Sequence, residues 1–136
     1  MIRPKVGVVS CSGECCSLGT LSRIATRRVL EDLKAGETVT ICLPLFLAGD
    51  SGERMFAKQF PTVAVDGCHK LCATKAIEKF SGKTAATVDV ESLLEEQGSS
   101  PPASRRVFTP EDMAMVAVVA GAIVEKVDGI KEAQDA

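Results

Sequence analysis

Cysteines occupy positions 11, 15, 16, 42, 68 and 72, and the only histidine is His69. In a reducing compartment, six cysteines point to metal or redox chemistry more than to structural disulfides. Four thiolates suit tetrahedral Zn2+, with Zn–S bonds of ~2.3 Å. Cys68 and Cys72 are separated by three residues, a spacing that lets a strand end and a helix start serve one metal. Four thiolates on a divalent ion leave two negative charges. A helix N-terminus, with its partial positive charge, would help to offset them; Lys70 could add a countercharge, although it reads first as a solvated surface lysine. Cys42, between Ile41 and Leu43, reads by itself as a small buried hydrophobe; it becomes a ligand candidate only if Cys11, Cys68 and Cys72 reach the same place. Cys15 and Cys16 are adjacent, and neighbouring cysteines rarely both reach one metal. Each reads as an additional ligand, a reactive thiol or plain loop. His69 could replace a thiol, although its side chain should leave the helix start in a different direction from Cys68.

The elements that would position these residues follow from apolar patterning. Short β-branched runs at 5–9, 38–43, 62–65 and 85–90 read as strands, each a continuous apolar stretch. Between them come helical patterns: Thr20 as an N-cap before Leu21, Ile24, Ala25, Val29 and Leu33, with Gly36 as a stop; a short helix at 53–59; and a helix carrying Cys72, Ala76 and Phe80 on one face, closed by Gly82. Residues 44–47 read as an apolar loop. Asp66 is expected to cap the turn after the third strand, and Gly67 to permit a tight reversal. A further short helix runs to Leu94, and residues 98–108 are the only linker-like stretch. Thr109-Pro110-Glu111-Asp112 then opens a helix over 110–126. That helix is apolar nearly all round, so a fold core or a homo-oligomer contact must cover it.

Alternating helices and continuously apolar strands predict an α/β fold: a small three-layer sandwich with a mostly parallel sheet of about four strands and helices on both faces. The 136 residues are the length of a single domain. In an open parallel sheet the carboxyl ends of all strands share one edge. Cys11, Cys42 and Cys68 each follow a strand, and Cys72 begins a helix, so residues far apart in the chain are expected at that one edge.

Composition removes several other functions. Forty-six per cent hydrophobic with 25 per cent charged residues is a globular balance. A net charge of −2, with no basic run, no Trp and no Tyr, argues against a nucleic-acid partner. The run at 6–9 is too short for a secretory h-region, and the apolar stretch at 113–124 is too short to span a membrane. A cytoplasmic protein with no membrane partner is expected. Two readings compete with zinc for the same cysteines. A thiol redox or catalytic protein would use a low-pKa cysteine, from Cys11, Cys15, Cys16 or Cys68; no pair has the two-residue spacing of thioredoxin-like motifs, and no Arg follows a cysteine at the phosphate-loop distance. An iron–sulfur cluster could use four of the cysteines, though their spacings match neither common ferredoxin pattern.

The segment Val63-Ala64-Val65-Asp66-Gly67-Cys68-His69-Lys70-Leu71-Cys72-Ala73 resembles the signature of the DGC-domain proteins, named for the Asp-Gly-Cys tripeptide. Cys11-Ser12-Gly13, followed by Gly19, Leu21 and Ser22, is similar to the family's start. The resemblance covers about residues 5–90 and extends more loosely through the last helix. It implies a small prokaryotic metal-binding domain whose four zinc-binding cysteines fall at Cys11, Cys42, Cys68 and Cys72. Cys15 and Cys16 are additional to that set, and the loop after Cys42 is longer and more apolar than the family's. The resemblance names no reaction.

Overall fold

Four β-rich segments pair side by side with every neighbour parallel. They are β1 (Val6–Ser10), β2 (Thr38–Val39), β3 (Thr62–Asp66) and β4 (Ala86–Asp89), in spatial order β2-β1-β3-β4. The structure is a computed structural model and describes residues 5–135. Side chains alternate between the faces of the sheet. Val6, Val8, Val63, Val65 and Val88 pack into one cluster with Leu21, Ala25 and Val29, and with Val116, Val119, Ala120, Ile123 and Val127. On the opposite face Val9 and Ala64 pack with Phe56, Ala73 and Ile77. β1 and β3 are buried along almost their whole length because both faces are covered, whereas the edge strands β2 and β4 are partly exposed. This is the expected α/β sandwich.

The covering helices begin and end for identifiable reasons. α1 (Ser17–Arg28) starts one turn before the expected Thr20 cap, with Cys16 in the cap position. Thr20 lies inside the helix, where its hydroxyl donates to Arg105 O at 2.9 Å. A tertiary partner thus takes the group that local pattern assigns to a cap. The chain then widens through residues 29–33, closed by Lys34 N donating to Val29 O at 2.8 Å, and turns at Gly36, whose φ is +80°. Leu33, expected on the buried face, is exposed by that widening.

The second strand is shorter than its apolar run. Pairing with β1 stops at Val39. Leu43, expected to end the strand, and residues 44–47, expected as loop, instead form a helical turn, α2 (Leu43–Leu47), with Pro44 near its start. Pro44 has no N–H to give a ladder, and Phe46 is fully buried, with its ring edge-on to Phe80 at 6.2 Å. The expected helix at 53–59 divides into α3 (Ser51–Arg54), capped by Asp50 accepting from Glu53 N at 3.0 Å, and α4 (Phe56–Gln59).

Past β3 comes α5 (Cys72–Phe80), whose buried residues are Ala73 and Ile77. The buried face is one residue round from the Cys72, Ala76 and Phe80 stripe, and Cys72 is exposed. α6 (Val90–Glu96) follows β4 directly, with Asp89 accepting from Ser92 N at 3.2 Å as its cap. Residues 99–109 carry no helix or strand, but they are tied to the loop after β1: Arg105 donates to Glu14 O at 2.6 Å, and Arg106 to the Glu14 carboxylate at 2.8 Å.

α7 (Pro110–Asp135) runs well past the expected end at 126. Its start is a reciprocal cap: Asp112 N donates to Thr109 Oγ1 at 3.1 Å, and Thr109 N donates to the Asp112 carboxylate at 2.8 Å. Ion pairs from Lys34 to Asp128 and from Lys131 to Glu37 hold its second half. The helix is covered on one side, not several. Val116, Val119, Ala120, Ile123 and Val127 face the core, whereas Ala114, Ala117, Val118 and Gly121 face out. The outer face is apolar but mostly small, which limits its cost in water. Among the described residues no helix is long and apolar enough to cross a membrane.

The one-sided packing of α7 predicts a contrast. Ile123→Ala should lower unfolding stability by about 2–5 kcal/mol in a urea titration, while Val118→Ala, on the outer face, should stay within about 0.5 kcal/mol of the parent.

Candidate metal centre

All three β-strands that precede cysteines run in the same direction, so their carboxyl ends form one rim. Cys11 follows β1, and its N–H extends the ladder by donating to Val65 O at 2.9 Å. Cys42 lies three residues past β2, and Cys68 two past β3; Cys72 is the first residue of α5. The rim that sequence patterning predicts for Cys11, Cys42, Cys68 and Cys72 is therefore the rim on which they stand.

Within the rim the thiols fall into groups. Cys11 and Cys42 line a cavity of about 330 Å³, together with Ser10, Ser12, Pro44 and Leu47. Cys11 Sγ accepts from Gly67 N at 3.4 Å and lies 3.5 Å from Ser22 Oγ. The Ser22 hydroxyl proton is committed to Gly19 O at 2.7 Å, so a protonated Cys11 is the donor to Ser22. Cys15 and Cys16 sit with sulfurs 4.0 Å apart. The Cys15 thiol is held above its ordinary pKa first by its hydrogen bond to Cys16, then by repulsion from Cys16, burial and the Cys68 sulfur; Lys70 opposes these. That direction is opposite to the one an activated thiolate needs. Cys16 and Cys68 both pack against the larger core cluster.

No three of these sulfurs are drawn together as a closed site. Among the described residues, the only three potential ligand atoms within 4.8 Å of one another belong to His69, Glu91 and Glu95. A tetrahedral thiolate site requires sulfurs about 3.8 Å apart, so the cysteines share a rim without being gathered to that spacing.

The Asp-Gly-Cys segment is built by tertiary contacts. Asp66 is 1% exposed, and its carboxylate accepts from Ala73 N at 2.7 Å, Thr74 N at 3.1 Å and Thr74 Oγ1 at 2.7 Å. The cap thus reaches past the turn to the first N–H groups of α5. Gly67 is present for a different reason from the expected chain reversal: a Cβ there would lie 2.7 Å from the Leu18 carbonyl carbon and 2.8 Å from Gly19 N. The β3–α5 loop lies directly against the backbone of α1. Ser12 and Leu71 have left-handed φ values of 51° and 54°. Each adjoins a rim cysteine, and such conformations cost about 1–3 kcal/mol in a non-glycine residue.

His69 points away from the thiols. Its Nδ1 lies 2.8 Å from Asp89 Oδ2, its Nε2 lies 3.3 Å from both Glu91 Oε1 and Glu95 Oε1, and its backbone N–H donates to Glu91 Oε1 at 3.0 Å. The hydrogen bond to Asp89, then that to Glu95, raises the His69 pKa above its ordinary 6.5; partial desolvation opposes them. Burial works against the Asp89 carboxylate, but its hydrogen bonds from His69 and Ser92 prevail and lower its pKa. Sequence reasoning missed these three acids. Glu91 and Glu95 are one helical turn apart, which is visible in the chain, but nothing local links them to a histidine more than twenty residues earlier.

The family model described as the DGC domain matches residues 7–118, from β1 into α7. The chain belongs to the DGC-domain family. No significant match is found among curated proteins or among solved structures.

Asp66→Ala should strand two N–H donors of α5 and lower stability by about 1–3 kcal/mol in chemical denaturation. Gly67→Ala should cost a similar amount, about 1–3 kcal/mol, because backbone and not a flexible side chain fills the space. In metal-free protein the single histidine provides an unambiguous NMR titration. Its midpoint should lie above 6.5 and fall in Asp89→Asn. Since the folded pKa is the higher one, the stability His69 contributes is complete below the unfolded value and fades as pH rises through the folded value.

Proposed function

We propose that the protein binds zinc through cysteine thiolates on the carboxyl rim of the sheet, with Cys11, Cys42, Cys68 and Cys72 as ligands and Cys15 and Cys16 as neighbouring thiols able to take a ligand's place. The observation that supports this best is the common rim. Had Cys42 followed an antiparallel strand, it would stand a sheet's length away from Cys68. The donor set fits the metal: four sulfurs from four different chain positions, with the N–H of Gly67 directed at Cys11 and the start of α5 beneath Cys72.

Closure of the site requires the rim loops to move inward. The left-handed residues beside Cys11 and Cys72 belong to those loops, and metal binding would supply free energy for the rearrangement; structural zinc sites contribute on the order of 10–16 kcal/mol. A site of four protein thiolates has no position for water, so this reading is one of metal holding and not of hydrolysis. All six cysteines are free, which agrees with a reducing compartment such as the cytoplasm.

Elemental analysis of anaerobically purified protein should find one tightly held zinc per chain, with Tm falling when a chelator removes it. Cys11→Ser, Cys42→Ser, Cys68→Ser and Cys72→Ser should each weaken retention, and Cys15→Ser should not. Fully reduced protein that is isolated metal-free, with a Tm indifferent to added zinc, would overturn the assignment.

A further inference from the structure

The geometry points to a second metal site, separate from the thiols, in which His69, Glu91 and Glu95 bind a divalent transition-metal ion through nitrogen and oxygen. Two Glu carboxylate oxygens from adjacent turns of α6 converge on His69 Nε2, each at 3.3 Å. Ligands in a tetrahedral site with metal bonds of about 2.0–2.1 Å stand about 3.3–3.4 Å apart. Both glutamate oxygens already stand from Nε2 at the distance one ion would impose, and the three atoms lie within 4.8 Å of one another, which no three of the cysteine sulfurs do.

The surroundings are those of a ligand histidine. A metal-binding imidazole characteristically gives its other ring N–H to a carboxylate, which fixes the tautomer and turns the free nitrogen toward the ion. Asp89 holds Nδ1 at 2.8 Å, leaving Nε2 to face the two glutamates. Asp89 is itself fixed as the cap of α6, and Glu91 is fixed by the N–H of His69. The positioning carboxylate and one ligand are thus ordered by the fold. Nitrogen and carboxylate donors suit Zn2+, Co2+, Ni2+ or Mn2+, whereas Cu(I) and iron–sulfur clusters choose thiolates. The His69 and Glu95 side chains are about half exposed or more, so solvent can complete the coordination. Binding releases the Nε2 proton to water.

Cobalt(II) chloride distinguishes the two sites in the full chain. Thiolate coordination gives intense charge-transfer absorption, whereas nitrogen and oxygen coordination gives only weak bands. The expected result is a binding phase without charge-transfer absorption in which the His69 ring protons undergo large paramagnetic shifts. The double variant Glu91→Gln/Glu95→Gln should lose those shifts and keep the charge-transfer band. Asp89→Asn should weaken the phase by about 10-fold or more. His69 signals unmoved at millimolar cobalt would overturn the proposal, as would shifts unchanged in the double variant or shifts that disappear with Cys68→Ser. Absence of the charge-transfer band would count only against the thiolate site, so the two readings fail separately.

Discussion

A buried carboxylate at the end of β3, one of the two inner strands, organises the rim. Asp66 is removed from water at the last position of β3, and three hydrogen bonds from the first turn of α5 compensate it. Charge-assisted bonds of this kind are roughly twice as strong as neutral ones, and an uncompensated carboxylate there would be prohibitive. The clamp therefore fixes how α5 leaves the sheet, and with it the positions of Cys68 and Cys72 at the turn's two ends. Gly67, between clamp and thiol, lets the same loop rest on the backbone of α1 while its N–H reaches Cys11. Asp-Gly-Cys is thus one mechanical unit: a cap, a contact and a rim thiol.

The rim then divides its chemistry by donor type. Thiols stand on the loops after β1, β2 and β3, while the His69 ring and the Asp89, Glu91 and Glu95 carboxylates meet beyond β4, where α6 starts. One residue separates the two zones, since Cys68 and His69 are adjacent in the chain. In the turn that follows β3, Cys68 packs toward the core and His69 swings across to Asp89. Soft and hard donors are thereby kept apart on a small surface.

The long last helix serves the rim indirectly. Its inner face covers the sheet and α1, and Thr109 and Asp112 cap its start close to the segment that anchors Glu14. The loop bearing Cys15 and Cys16 is consequently tied to residues nearly a hundred positions later. The family match likewise continues into α7, well beyond the cysteine-bearing segments.

Uninterrupted apolar strands alternating with amphipathic helices were enough to read a covered parallel sheet from the chain, because a strand buried on both faces has no polar side to display. The shared rim of the cysteines follows directly, since parallel strands all end at the same edge. Features that depend on partners distant in sequence were not readable. β2 is cut short by the burial of Phe46, Thr20 gives up capping for Arg105, and Ala73 rather than Cys72 turns inward on α5. The pairing of His69 with Asp89, Glu91 and Glu95 belongs to the same group: it exists only because β4 lies beside β3 and brings the start of α6 against the turn after Gly67. Local pattern records which face of an element is apolar, whereas side-chain partners across the sheet are set by packing in three dimensions.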